Sequence, residues 1–407
     1  MNDSPGESLD MKKTLNNRWL ALYFSSFIYL GLASAVIGPS LLRLVEKTGS
    51  TVSSLSIIFP IRSAAYLVGS WLAGKLYDRS AGHQLLTGSI VVLGITLGLI
   101  PIISEPMSLI WILLVMGLAM SLIDVGGNVL LIRIQSTNLG PAMNALHFFY
   151  GLGSFIAPII LASTLGLSDG LQWGYWGLAL FSLPILGQLI FLPSPERLDL
   201  QTSNNGDDSP GKSPNLKLLI IVIALFFFSF VGVELGFGDW ISTYAIRMGI
   251  ADERAAVFMA SAYWGAFTIS RLISIPLSNR FQPEKLVFVN LVGSFIGLGL
   301  ILVFPGQSMM AWCGAIILGL SLASLFPTMF TLANNLMPMT GKITSWFLIS
   351  GSLGAMFVPW LIGRNIESSG PRVIIQVLFL LLTISGLMFF LLSRLHKKHP
   401  PENLQVE

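Results

Sequence analysis

The chain has one cysteine, Cys313, in 407 residues, which excludes an intramolecular disulfide and argues against a cysteine-built metal site. Charge is almost as scarce. Asp, Glu, Lys and Arg make up 11% of the residues against 53% hydrophobic ones, where an ordinary soluble domain carries about 25% charge. No glycine-rich phosphate loop followed by Lys and Ser or Thr occurs, so direct drive by a nucleoside triphosphate is removed. Paired metal-ligand spacings and a hydrolase nucleophile elbow are missing too, and no enzyme is expected. Cys313 itself reads as a small core residue.

What is present is a series of long apolar runs. A bilayer core about 30 Å thick takes roughly 20 apolar residues per helix. Twelve such segments fall at 19–44, 54–76, 84–103, 107–134, 142–166, 171–192, 216–246, 252–276, 286–304, 309–335, 342–363 and 371–394. The expected fold is therefore all-α: a membrane protein of twelve transmembrane helices in two six-helix bundles, 19–192 and 216–394. A polar linker, 193–215, separates the bundles and is too rich in Pro, Ser, Asn, Asp and Gly to bury a core. Tails of 1–18 and 395–407 complete the chain. The first apolar segment is too long for a signal-peptide core and reads as retained.

Basic residues set the expected orientation. With both termini inside, fifteen of the 23 Lys and Arg lie on the cytoplasmic side, including Lys12, Lys13, Arg18, Lys75, Arg79, Arg280, Lys285 and Lys342. Six lie opposite: Arg43, Lys47, Arg247, Arg254, Arg364 and Arg372. The expectation is a multi-pass protein of the plasma (cell inner) membrane with cytoplasmic termini. Its net charge of +3 follows topology and gives no reason to invoke nucleic acid.

A shift of 201 residues brings "KLYDR" (75–79) onto "PLSNR" (276–280) and "LGSFIAP" (152–158) onto "LGAMFVP" (353–359). These matches suggest a parallel duplication, in which two halves rock around a site near the bilayer midplane. The stretch "GKLYDRSAGH" (74–83) resembles the signature between helices 2 and 3 of the major facilitator superfamily, with its second glycine, Gly82, one place late. That resemblance implies a cytoplasmic gating loop built on Gly74, Asp78 and Arg79, with Arg280 in the second copy. Asp78 would cap or pair with a neighbouring helix end in one state and release it in another.

Few ionisable groups fall inside the spans, and each carries an insertion penalty of roughly 2.5 to 3.5 kcal/mol. Asp124 lies in "LIDVGGNVLL" (122–131), ten residues before the inner end of its segment, or about 15 Å by helical rise. Asn128 shares its helix face, while Gly126 and Gly127 allow close helix approach or bare carbonyls. A carboxylate beside amide and carbonyl oxygens suits a sodium ion, and the same carboxyl suits a proton carrier. Glu234 sits in "GVELGFGDWISTYAIRMG" (232–249), followed at helical spacing by Trp240 and Tyr244. That set matches a sugar, whose hydroxyls seek carboxylates and whose C–H face packs on aromatic rings. Trp240 and Tyr244 also fit a membrane-interface belt. His147, Tyr150 and Trp264 join them as candidates to line a substrate cavity. His147 is placed to approach Asp124 as a proton relay or hydroxyl ligand, or to serve in packing. Arg62 is a candidate charge partner for a buried carboxylate. Arg271 reads as a snorkelling or clamping residue near the inner end of its helix, and Asp239 as a hydrated residue near the outer face.

Four segments, "DVGGN" (124–128), "LHFFYGLGSFIAP" (146–158), "GVELGFGDWISTY" (232–244) and "GLSLASLFPTMFTL" (319–332), resemble the fucose:galactose:glucose:cation symporters, and in particular the sodium-dependent glucose transporter branch. The resemblance implies sugar binding and cation coupling by Asp124, Asn128 and Glu234, with Trp240 along the sugar path. The proton-coupled fucose members also use an acid in helix 1. Here that helix offers Ser25, Ser26, Tyr29, Ser34 and Ser40 instead, which favours sodium, held at Asp124, or a single-carboxylate proton mechanism. The expected activity is import of a glucose-like hexose by Na+ or H+ symport, with no cofactor, in a lipid bilayer, for which a monomer suffices. An efflux antiporter for drugs or amphipathic metabolites is the competing expectation. A receptor or scaffold is disfavoured by the short tails.

Overall fold

The computed structural model describes residues 5–79, 82–135, 139–195, 214–337 and 339–398. Most of the expected linker, residues 196–213, and the end of the C-terminal tail, 399–407, lie outside them. Among the described residues the chain is helical throughout and forms no strand. The first stretch comprises α1 (Pro5–Ala35), α2 (Ile37–Thr48), α3 (Val52–Leu55), α4 (Ile58–Arg79), α5 (His83–Leu99), α6 (Pro106–Ile134), α7 (Leu139–Thr164), α8 (Gly170–Leu180) and α9 (Ser182–Phe191). After the linker come α10 (Pro214–Arg247), α11 (Glu253–Ser278), α12 (Pro283–Val303), α13 (Ser308–Leu322), α14 (Leu325–Leu336), α15 (Gly341–Ser369) and α16 (Arg372–Lys398). The polar start expected as a tail is helical from Pro5 onward.

Among the described residues eleven helical stretches are long and apolar enough to cross a membrane, and the α1–α2 pair, bent by 45°, makes a twelfth if taken as one span. The protein is thus a multi-pass integral membrane protein, as its apolar runs require: backbone polar groups in hydrocarbon must be satisfied within the segment.

Several spans are broken where the apolar pattern runs on, and proline explains the breaks. A proline ring clashes with the carbonyl four residues earlier and supplies no N–H to it. Pro39 follows Ala35, the last residue of α1, at that distance. Pro60 stands in the same relation to Ser56, between α3 and α4. Pro184 does so to Leu180 at the end of α8, and Pro327 to Ala323 between α13 and α14. By contrast Pro158, Pro276 and Pro359 are carried inside continuous helices.

The chain divides into two compact units, Met1–Ser50 with Ile61–Leu200, and Thr51–Pro60 with Gln201–Glu407. Residues 51–60, which the sequence pattern assigns to the first bundle, pack with the second unit. There the Val52 N–H donates to Glu367 Oε1 (2.9 Å) and Ser53 Oγ to the Arg364 carbonyl (3.2 Å).

Inside each unit the same packing recurs at a spacing of 200 to 202 residues. In the first, α7 lies so close to α1 that a Cβ on Gly153 would strike the Ile28 backbone, and a Cβ on Gly117 of α6 would meet the Arg62 carbonyl and Ala65 of α4. In the second, Gly354 of α15 abuts the Phe228 backbone of α10, and Gly319 of α13 meets the Tyr263 carbonyl and Ala266 of α11. Small residues of this kind let helices approach where hydrophobic exclusion offers no drive, because lipid is as apolar as the side chains.

Candidate functional site

The first unit holds a polar cluster built by four helices. From α6, Asp124 presents a half-buried carboxylate whose Oδ2 accepts a hydrogen bond from the Tyr66 hydroxyl on α4. Its Oδ1 accepts from the Asn128 amide (3.1 Å), which also donates to the Asp124 backbone carbonyl (2.9 Å). The i, i+4 spacing is what brings Asn128 under Asp124. Beside them the Tyr150 hydroxyl on α7 donates to Ser34 Oγ on α1 (2.8 Å), and Arg62 Nη1 on α4 donates to the Ser34 carbonyl (3.3 Å). Ser34 sits one residue before the end of α1, next to the bend that Pro39 imposes.

The chemistry available is specific. An ionised carboxylate offers about four acceptor positions, and the Tyr66 and Asn128 donors take one on each oxygen. Further positions remain for a cation or for hydroxyl donors. A Cβ on Gly126 would strike Tyr77 and one on Gly127 would strike Phe27, so both glycines admit neighbouring rings. His147 is exposed and lies edge-on to Phe27, with ring centres 5.9 Å apart. Tyr66, which the sequence reading did not name, donates to Asp124.

In the second unit, Glu234 on α10 is half-buried, and its backbone carbonyl accepts from the Tyr263 hydroxyl on α11 (2.9 Å). Arg271 follows about two turns further along α11 and is half-buried. Its guanidinium lies over the Phe267 ring, 5.0 Å from the centre. Trp264 is 4% exposed, and its indole N–H has no hydrogen-bond partner among the described residues. A buried donor left this way forfeits hydrogen-bond energy.

Two expectations about α10 need correction. Trp240 is 0% and Tyr244 1% exposed. Trp240 donates its indole N–H to the Pro359 carbonyl (3.0 Å) and packs on Phe59. Both rings are enclosed within the second unit, where they form neither a lipid-facing belt nor an open cavity wall. Asp239 is likewise buried, at 7% exposure, where the sequence reading left it hydrated.

At the loop signature, Gly74 is half-buried while Asp78, Arg79 and Arg280 are exposed. The buried contacts come from neighbours instead. Arg133 Nη2 donates to the Tyr77 carbonyl (2.6 Å), and the His83 ring bonds the Tyr23 hydroxyl (3.1 Å) and the Leu192 carbonyl (3.2 Å). Ser80 and Ala81 fall outside the described residues. Cys313 is half-buried and unpaired on α13.

Sequence reasoning missed Tyr66, Ser34's link to Tyr150, and Tyr263. Tyr66 was detectable, since it stands four residues after Arg62 on the same helix face. Tyr263 had no comparable signal, because it holds a backbone carbonyl and complements no charge.

The family model for the Major Facilitator Superfamily matches residues 22–359. The sodium-dependent glucose transporter 1 of Xenopus laevis is 29% identical over 357 residues, covering 82% of this chain and 72% of that protein. The sodium-dependent glucose transporter 1 of Homo sapiens is 28% identical over 371 residues, covering 83% and 72%. The human major facilitator superfamily domain-containing protein 4A is 23% identical, covering 93% of this chain and 92% of its own. Among solved structures, the D323A mutant of the nucleoside transporter NupG superposes with a TM-score of 0.74 at 14% identity, over 94% of this chain and 99% of that one. A bacterial homologue of the human lysosomal transporter Spinster, in an inward-facing and occupied conformation, gives 0.72 at 10% identity, over 95% and 97%. Matched by the family model over most of its length, the chain belongs to the major facilitator superfamily, and it is a transporter and not an enzyme.

Proposed function

We propose that this transporter imports a glucose-like hexose by cation symport through alternating access, in the plasma membrane with both termini cytoplasmic. The observation that carries the reading is the Asp124 carboxylate, held by Tyr66 and Asn128 with acceptor positions to spare. Its cluster offers what a sugar hydroxyl and a small cation need: carboxylate, amide and hydroxyl groups gathered from neighbouring spans. Glu234 and the unpartnered Trp264 N–H supply the same vocabulary in the second unit. The relatives named sodium-dependent glucose transporter support the substrate class, and the fifteen-to-six distribution of basic residues supports the orientation. Asp124 is the residue assigned to Na+ or to the proton.

Radiolabelled glucose uptake into proteoliposomes tests the proposal, with sodium or proton gradients imposed separately. Accumulation above the external concentration under one gradient supports it. Failure of every hexose to accumulate under either gradient overturns it.

A further inference from the structure

Away from the polar clusters, the second unit carries a concave groove of about 500 Å³ where the start of α12, the end of α14 and the end of α16 converge. The volume falls in the range of roughly 300 to 1,000 Å³ typical of small-ligand sites. Its floor is the buried side chains of Leu332, Phe389 and Leu392, and its walls are Phe288 and Val289, which are 58% and 63% exposed. An apolar trough of this shape at the end of three membrane helices suits a hydrocarbon chain, but lipid in bulk would wet any apolar face. The rim is what adds selectivity.

Glu284 and Lys285, in the first turn of α12, both line the groove. Neither side chain makes a hydrogen bond or ion pair among the described residues. Two adjacent, opposite, unpaired charges at the mouth of an acyl-shaped trough complement a headgroup that is itself a phosphate beside an ammonium. A carboxylate accepts from an ammonium that still carries N–H donors, which a primary amine has and a quaternary one lacks. Lys285 offers its point charge to the phosphate.

We infer that this groove is a binding site for a phospholipid with a primary-ammonium headgroup, its chain along Phe288, Val289 and Leu392, its amine on Glu284 and its phosphate on Lys285. The inference is independent of the sugar reading, since no residue of either polar cluster lines the groove.

The test is native mass spectrometry of the purified full-length chain in detergent, titrated with phosphatidylethanolamine, phosphatidylcholine and phosphatidylglycerol of identical acyl chains. The ethanolamine lipid is expected to bind about fivefold more tightly than the choline lipid, the scale of one exposed charge pair. Glu284→Gln is expected to abolish that preference. Val289→Trp, which fills the trough from an exposed position, is expected to weaken all three lipids together while the unfolding temperature stays unchanged. Equal binding of the three lipids, preference for the glycerol lipid, or a preference that survives Glu284→Gln would each overturn the inference.

Discussion

The Tyr66 hydroxyl on α4 donates to the Asp124 carboxylate on α6, so the one acid of the first unit's polar cluster is tied to a neighbouring helix and not left to solvent. That bond explains how an apolar span tolerates a carboxylate, and it identifies what a ligand must share or displace.

Tyr66→Phe keeps the ring and removes the donor. A hydrogen bond to a charged group contributes about 1.5 to 3 kcal/mol, so concentrative uptake is expected to fall by about tenfold or more. Thermal unfolding of the purified variant should shift downward modestly. Wild-type uptake by Tyr66→Phe would show that the bond is a packing detail.

Trp264 offers a cleaner separation of binding from stability. Its indole N–H has no partner to lose, so Trp264→Phe is expected to leave the unfolding temperature close to that of the parent. Sugar affinity, read by ligand-induced thermal stabilisation, is expected to drop by about two- to tenfold, the scale of one neutral hydrogen bond. Unchanged affinity for every sugar in the panel would remove Trp264 from the substrate site.

The duplicated glycine contacts predict a matched pair of defects. A Cβ on Gly153 meets the Ile28 backbone, and one on Gly354 meets the Phe228 backbone. Neither can yield by a rotamer change. Gly153→Ala and Gly354→Ala are each expected to destabilise by about 1 to 3 kcal/mol, as overpacking does, measured as loss of folded protein in a thermal ramp. Gly74→Ala, where a Cβ meets open space within α4, should leave stability equal or raise it by up to about 1 kcal/mol and serves as the control.

Most of the fold was legible because hydropathy needs no tertiary information: each span must satisfy its backbone within itself. The 201-residue repeat also survived into packing, with Ala65 and Ala266 taking equivalent places against Gly117 and Gly319. The breaks were encoded too, in prolines 39, 60, 184 and 327, but hydropathy averages over them, and the same ring–carbonyl clash applies to Pro158 and Pro359, which continuous helices carry. The candidate site was half legible. Asp124 and Asn128 lie on one helix at a readable spacing, whereas Tyr66 comes from another helix, and no periodicity states which faces meet. Trp240 and Tyr244 misled for a related reason. A large aromatic ring with a polar edge suits a sugar, a membrane interface or a buried carbonyl such as that of Pro359 equally well, and only the packed structure chooses among them.

The central claim is that Asp124 couples a cation to the movement of a sugar. Asp124→Asn preserves the shape and an acceptor for Tyr66 while removing the charge. The decisive measurement is radiolabelled glucose uptake into proteoliposomes of parent and variant, with and without the cation gradient that drives the parent. The account predicts that Asp124→Asn equilibrates sugar at best, with no accumulation under the gradient, while its unfolding temperature shows a folded protein. Gradient-driven accumulation at the parental level by the folded variant would contradict it.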